Sequence, residues 1–162
     1  MEEENRSYSV DLIYQISKEA ILLQMNQRNS LETKASTLIA FAGVIFALSM
    51  GALDNLIQLS GLLQSLLVIS VIFFFFSIIL CTIVSWIRYY RLHPNIETLA
   101  RKYTELPEEE TKLQITSNLI DDWKSNHKRI EQNALFLRLA FIFQTIAFII
   151  LGLTLLLSIV MR

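Results

Sequence analysis

Arg28–Gly51 reads RNSLETKASTLIAFAGVIFALSMG, and its two halves obey different rules. Charged residues recur up to Lys34, and none occurs from Ala35 to Leu53. Neither Gly nor Pro lies between Ser7 and Ala42, so the usual helix breakers are missing. The stretch predicts one helix that begins as a charged amphipathic segment and continues as a membrane span. The whole chain is expected to be an all-α integral membrane protein. It has three transmembrane helices and a cytoplasmic helical stalk continuous with spans one and three.

Composition supports the same class. Of 162 residues, 53% are hydrophobic and 18% charged, where soluble domains carry about a quarter charged residues; mean hydropathy is +0.45. Four glycines and two prolines leave little material for linkers or a β-rich fold. A net charge of −1 gives no nucleic-acid signal. The single cysteine, Cys81, lies in an apolar run and has no intrachain disulfide partner. The acidic start MEEENRS lacks the basic residues and immediate apolar core of a signal peptide, so none is expected.

Crossing a hydrocarbon core of about 30 Å takes about 20 apolar residues. Three runs qualify: Ala35–Leu53, Leu62–Ile87 and Leu139–Met161, the last within a segment taken as 135–161. The second holds Phe73 to Phe76 and ends near Trp86, Tyr89 and Tyr90, an aromatic belt at one interface. The connection 54–61 has no Lys or Arg. Residues 1–34 have four basic residues and 88–133 have eight. The positive-inside bias puts both polar segments, 1–34 and 88–134, in the cytoplasm and the 54–61 turn outside. The expected location is a cell inner membrane, with the N-terminus cytoplasmic and the C-terminus, at Arg162, external.

Residues 8–34 read as a helix of roughly 40 Å, with Ile13, Ile16, Ala20, Leu23 and Gln27 on one seam and Val10, Tyr14 and Ile21 beside it. Pro94 should end the helix leaving the second span, and 95–103 make a short helix capped by Asn95. Pro107 is placed at the first position of the next helix, with Glu108, Glu109 and Glu110 suiting its dipole. From there Leu113, Thr116, Ile120, Trp123, His127, Ile130, Ala134, Leu137 and Phe141 keep heptad spacing into the membrane. The part 107–134 is about 42 Å long, close to the N-terminal helix. Two such helices running towards the membrane are expected to pack in parallel, leaving a seam for a second chain.

Chemistry-bearing residues are few. Ser36, Ala40, Gly43, Ala47 and Gly51 recur every three or four residues, a spacing that lets helix backbones approach closely in lipid. They serve packing within the chain, an oligomer interface or a narrow pore lining. Arg138, one turn into the third span, either snorkels to the headgroups or forms a charged ring or an anion tether. Gln144, deeper, needs a backbone or hydroxyl partner on another helix. The basic set Arg88, Arg91, Arg101, Lys102, Lys124, Lys128 and Arg129 has two readings, the first being contact with anionic lipid, expected at Arg88, Arg91, Lys128 and Arg129. Its other reading is an anionic ligand such as a nucleotide, stacked on Tyr103 or Trp123. His127 is read as a packed polar residue, and Asp121 and Asp122 as neighbours pointing about 100° apart. No metal, phosphate-loop or nucleophile motif is present, so neither an enzyme nor a cofactor is expected.

Two segments carry a family likeness. Glu32-Thr33-Lys34-Ala35-Ser36 stands just before an apolar run with a glycine midway, and Asn126-x-x-Arg129-Ile130-x-x-Asn133 lies on the helix entering the last span. In both the chain resembles small bacterial membrane effectors of defence systems, the SLATT domains and Pycsar transmembrane effectors. The resemblance implies a homo-oligomer that permeabilises the inner membrane when a nucleotide second messenger or protein partner activates it. Three spans depart from a simple two-span hairpin. The alternative is a structural or regulatory membrane subunit that docks a protein partner through its stalk.

Overall fold

The computed structural model describes residues 2–51, 61–86 and 106–160, with side-chain surroundings over 8–49, 61–86 and 106–160. Three helices account for nearly all of them: α1 (Glu2–Gly51), α2 (Gly61–Ser85) and α3 (Glu108–Val160). Each is long and apolar enough to cross a membrane. The expected helix over 95–103, with its cap at Asn95, lies outside the described residues. Pro107 stands one place earlier than expected. Its carbonyl accepts from the Thr111 N–H at 3.0 Å, which makes it the cap before the first helical residue.

Two compact units divide the chain. One holds residues 1–29 with 87–132, the other 30–86 with 133–162. α1 and α3 each contribute a segment to both.

In the first unit the two helix segments run in parallel. Asp11 pairs with Lys112, and the Gln24 side-chain amide donates to the Trp123 carbonyl at 3.0 Å. Both sequence numbers rise together. Between these ties Ile21, Ile115 and Leu119 form a small core, with Tyr14 packed on it. The buried line on α1 is therefore Val10, Ile21 and Gln24 rather than the Ile13–Ile16–Leu23 seam, all three of whose apolar side chains are exposed. On α3 the expected seam shifts likewise. Thr116 and Ile130 are buried, but Leu113, Ile120 and Trp123 are exposed while Ile115, Leu119, Asp122 and Asn126 turn inward. Hydropathy misplaces both faces because Gln24, Thr116, Asp122 and Asn126 share the interior with the apolar residues.

The second unit is a three-helix packing. α1 and α3 run in parallel, as Ala35 packs with Leu137 and Ala140, and Ala42 with Ala147 and Leu151. α2 runs antiparallel to α3. Ser70 donates to the Ala147 carbonyl and Ser77 to the Ala140 carbonyl, both at 2.9 Å. Every helix brings small residues seven apart to this interior: Ala35 and Ala42, Ser70 and Ser77, Ala140 and Ala147. A seven-residue repeat keeps one face of each helix inward, and small side chains let backbones come close enough for hydroxyl-to-carbonyl bonds. Phe74 and Phe148 meet edge to face at 5.4 Å and fill the wider gaps between.

Candidate functional site

The polar side chain of the second unit that reaches both other helices is Gln144, 3% exposed. Its amide nitrogen donates to the Leu38 carbonyl on α1 at 3.4 Å, and its oxygen accepts from the Ser77 hydroxyl on α2 at 3.3 Å. One side chain thus touches all three helices, as its need for a partner in an apolar interior requires. Other hydroxyls of the unit behave differently. Thr37, Ser49, Ser65, Thr82, Thr145 and Thr154 donate to the carbonyl four residues back on their own helix. Such groups are satisfied locally and hold no neighbour.

The small-residue face of α1 points away from this interior. Ser36, Ala40, Gly43 and Ala47 are all exposed, and a Cβ added at Gly43 meets nothing within 4 Å. Packing within the chain falls to Ala35 and Ala42 instead, each one position before a residue of the expected face. Gly51 is the last residue of α1, and its surroundings lie outside the described residues. Arg138 is exposed and lines a groove between α1 and α3.

In the first unit, Lys124 and Lys128 are exposed and Arg129 is half-buried. Arg88, Arg91, Arg101 and Lys102 lie outside the described residues, as does Tyr103, so this basic set is placed only in part. Trp123 stacks on His127 with ring centres 4.9 Å apart and planes 11° from parallel. His127 is not a packed interior residue as expected. It stands half-exposed, with Nε2 3.4 Å from Glu131. One face of Trp123 is thereby taken. Asp121 faces water and Asp122 is buried, so the two do not converge. No cluster of metal-ligating side chains occurs among the described residues.

An ion triad that the sequence reading missed ties the start of α3 to α1. Lys112 Nζ lies 2.6 Å from both Asp11 and Glu108. Hydrogen bonds that the ammonium donates to Asp11 first, then to Glu108, hold the lysine above its ordinary 10.5. A raised lysine contributes its stabilisation below the unfolded value and loses it only as pH rises past the folded one. This tie is therefore fully present at neutral pH. Glu108 and Lys112 were legible as an i, i+4 pair, but Asp11 is about a hundred residues away in sequence.

The residues missed in the second unit did leave a signal. Ser70 and Ser77, like Ala140 and Ala147, are small residues seven apart within otherwise bulky apolar runs.

Compared with known proteins, the chain matches no family model, no curated protein and no solved structure.

Proposed function

We propose that the protein is an oligomeric effector of the bacterial inner membrane. It permeabilises that membrane when its cytoplasmic helical segments are triggered by a nucleotide signal or a protein partner. The observation that carries this reading is the outward small-residue face of α1. In lipid, small residues are useful where another helix comes close. Here the chain's own helices leave Ser36, Ala40, Gly43 and Ala47 uncovered. A second copy of α1 fits such a face, and a ring of copies would bring these faces together at a pore or along subunit contacts. The likeness of Glu32–Ser36 and Asn126–Asn133 to defence effectors supplies the biological setting.

Gly43→Leu separates assembly from folding. Gly43 is exposed and a Cβ added there meets nothing within 4 Å, so the larger side chain has open space to enter. The variant is expected to keep wild-type helicity and unfolding in detergent, to lose the oligomer on sizing, and to leave membrane potential and dye exclusion intact when expressed and triggered. A Gly43→Leu protein that assembles and permeabilises like wild type removes this face from the mechanism. Wild-type protein that never alters membrane potential sinks the effector reading.

The second reading, a regulatory subunit docking a protein partner, draws on the exposed Leu12, Ile13, Ile16 and Leu23 of α1. One stoichiometric foreign partner on pull-down, with no self-oligomer, would favour it.

A further inference from the structure

In the second unit a groove of about 700 Å³ runs between α1 and α3. That volume falls within the roughly 300–1,000 Å³ of small-molecule sites. Its lining is graded along its length. Lys34 and Arg138 line its N-terminal part beside the apolar Ala134 and Leu137, and Leu38, Phe141 and Ile142 follow further along the two helices. No carboxylate is among the described residues that line it. Lys34 and Arg138 have no ion-pair partner among the described residues, and the Thr37 hydroxyl is spent on the Thr33 carbonyl at 2.9 Å.

These two cations share a further property. Lys34 is the last charge before the apolar run of α1, and Arg138 is the last before that of α3. Parallel packing brings the two last charges to the same groove. If α1 and α3 cross a bilayer, both lie at the level where headgroup phosphates sit, and the apolar stretch below lies at acyl-chain depth. Two unpaired cations above an apolar floor match a monoanionic phosphate esterified to a hydrocarbon tail. A free nucleotide would need donors and acceptors along the groove's whole length, and Leu38, Phe141 and Ile142 offer none.

We propose that this groove is a binding site for one anionic glycerophospholipid of the cytoplasmic leaflet, its phosphate held by Lys34 and Arg138 and one acyl chain laid over Leu38, Phe141 and Ile142. The site rests on the membrane-span reading but not on pore formation. An anionic lipid seated here would fix the spacing of α1 and α3, and would tie that spacing to the composition of the surrounding leaflet.

The test uses full-length protein, delipidated in a mild detergent and titrated with phosphatidylglycerol or phosphatidylcholine of identical acyl chains. Ligand-dependent thermal stabilisation is the readout. The wild type is expected to half-saturate at roughly tenfold lower phosphatidylglycerol than phosphatidylcholine. Lys34→Gln with Arg138→Gln should bring that ratio close to one. The charge-conserving pair Lys34→Arg with Arg138→Lys should keep the preference, which guards against a folding defect in the neutral pair. Soluble glycerol phosphate should leave the lipid titration unmoved. Equal half-saturation by the two lipids in the wild type overturns the site. So does a tenfold preference surviving in the neutral pair, or competition by glycerol phosphate as effective as that of whole lipid. Flotation with phosphatidylcholine vesicles is measured in parallel. Loss of flotation fails the span reading, whereas intact flotation without headgroup preference fails this site alone.

Discussion

At the scale of single residues, Gln144 is the most consequential polar group in the second unit. It is buried, bonded to both other helices, and surrounded by apolar side chains. Hydrogen bonds between membrane helices average about 0.6 kcal/mol each, so replacing Gln144 by Leu should cost about 1 kcal/mol. Titrated unfolding in detergent would measure it. Leu is close in volume and leaves no buried amide behind, which keeps the loss small. Ser77 retains its bond to the Ala140 carbonyl in the variant. If Gln144 acted on ions rather than on helices, Gln144→Leu would abolish permeabilisation in cells at unchanged stability. The expected result is the reverse, a modest stability loss with permeabilisation retained. That Gln144 needed partners was legible from one amide in an apolar run. Which partners it would find was not, because Leu38 and Ser77 are 106 and 67 residues away.

At the scale of helices, the sequence disclosed each element and concealed each face. α1, α2 and α3 stand out because uninterrupted apolar runs and absent breakers leave no other state for the backbone. Facing is harder inside a span, where almost every side chain is apolar and hydropathy has no contrast to offer. Size carries the information instead. Ala140 and Ala147, 0% exposed, lie against α2 because nothing larger fits beneath the Ser77 and Ser70 bonds. In the first unit the interior is partly polar, with Gln24, Asp122 and Asn126 buried, so apolar periodicity selected the neighbouring stripe. A size-based test follows. Ala140→Leu should overpack the α2–α3 contact and cost about 1–3 kcal/mol. Gly43→Leu should cost nothing within the chain, since its added Cβ meets open space. Detergent unfolding of both variants side by side would check the contrast; equal losses would mean that the two faces do not differ in packing, and a larger loss at Gly43 that they are assigned the wrong way round.

At the scale of the whole molecule, three helices are each long and apolar enough to cross a membrane, and three crossings would leave the two ends of the chain on opposite sides. The four basic residues of 1–34 and the eight of 88–133 predict that both polar segments face the cytoplasm. Labelling with a membrane-impermeant thiol reagent reads this directly. Cys81 is buried and supplies a silent background. Ser60→Cys should label in intact cells, and Ser125→Cys only after the membrane is opened. The opposite pattern would invert the protein.

The fastening of the three spans is unequal. Within the second unit α2 is bonded to α3 at two levels by 2.9 Å serine–carbonyl bonds, while Gln144 donates to the Leu38 carbonyl of α1 at 3.4 Å; the shorter ties of α1 to α3, Asp11–Lys112 and Gln24–Trp123, lie in the first unit. Mechanical unfolding should therefore proceed by rank. Drawn from its N-terminus by a force probe, α1 should come away from α2 and α3 as a separate event once Asp11–Lys112 and Gln24–Trp123 have parted. The α2–α3 hairpin should follow as one piece. A single rupture of all three helices would mean that apolar packing outweighs this bonding. The same order implies a chain that yields at its N-terminal helix and keeps a two-helix anchor in place.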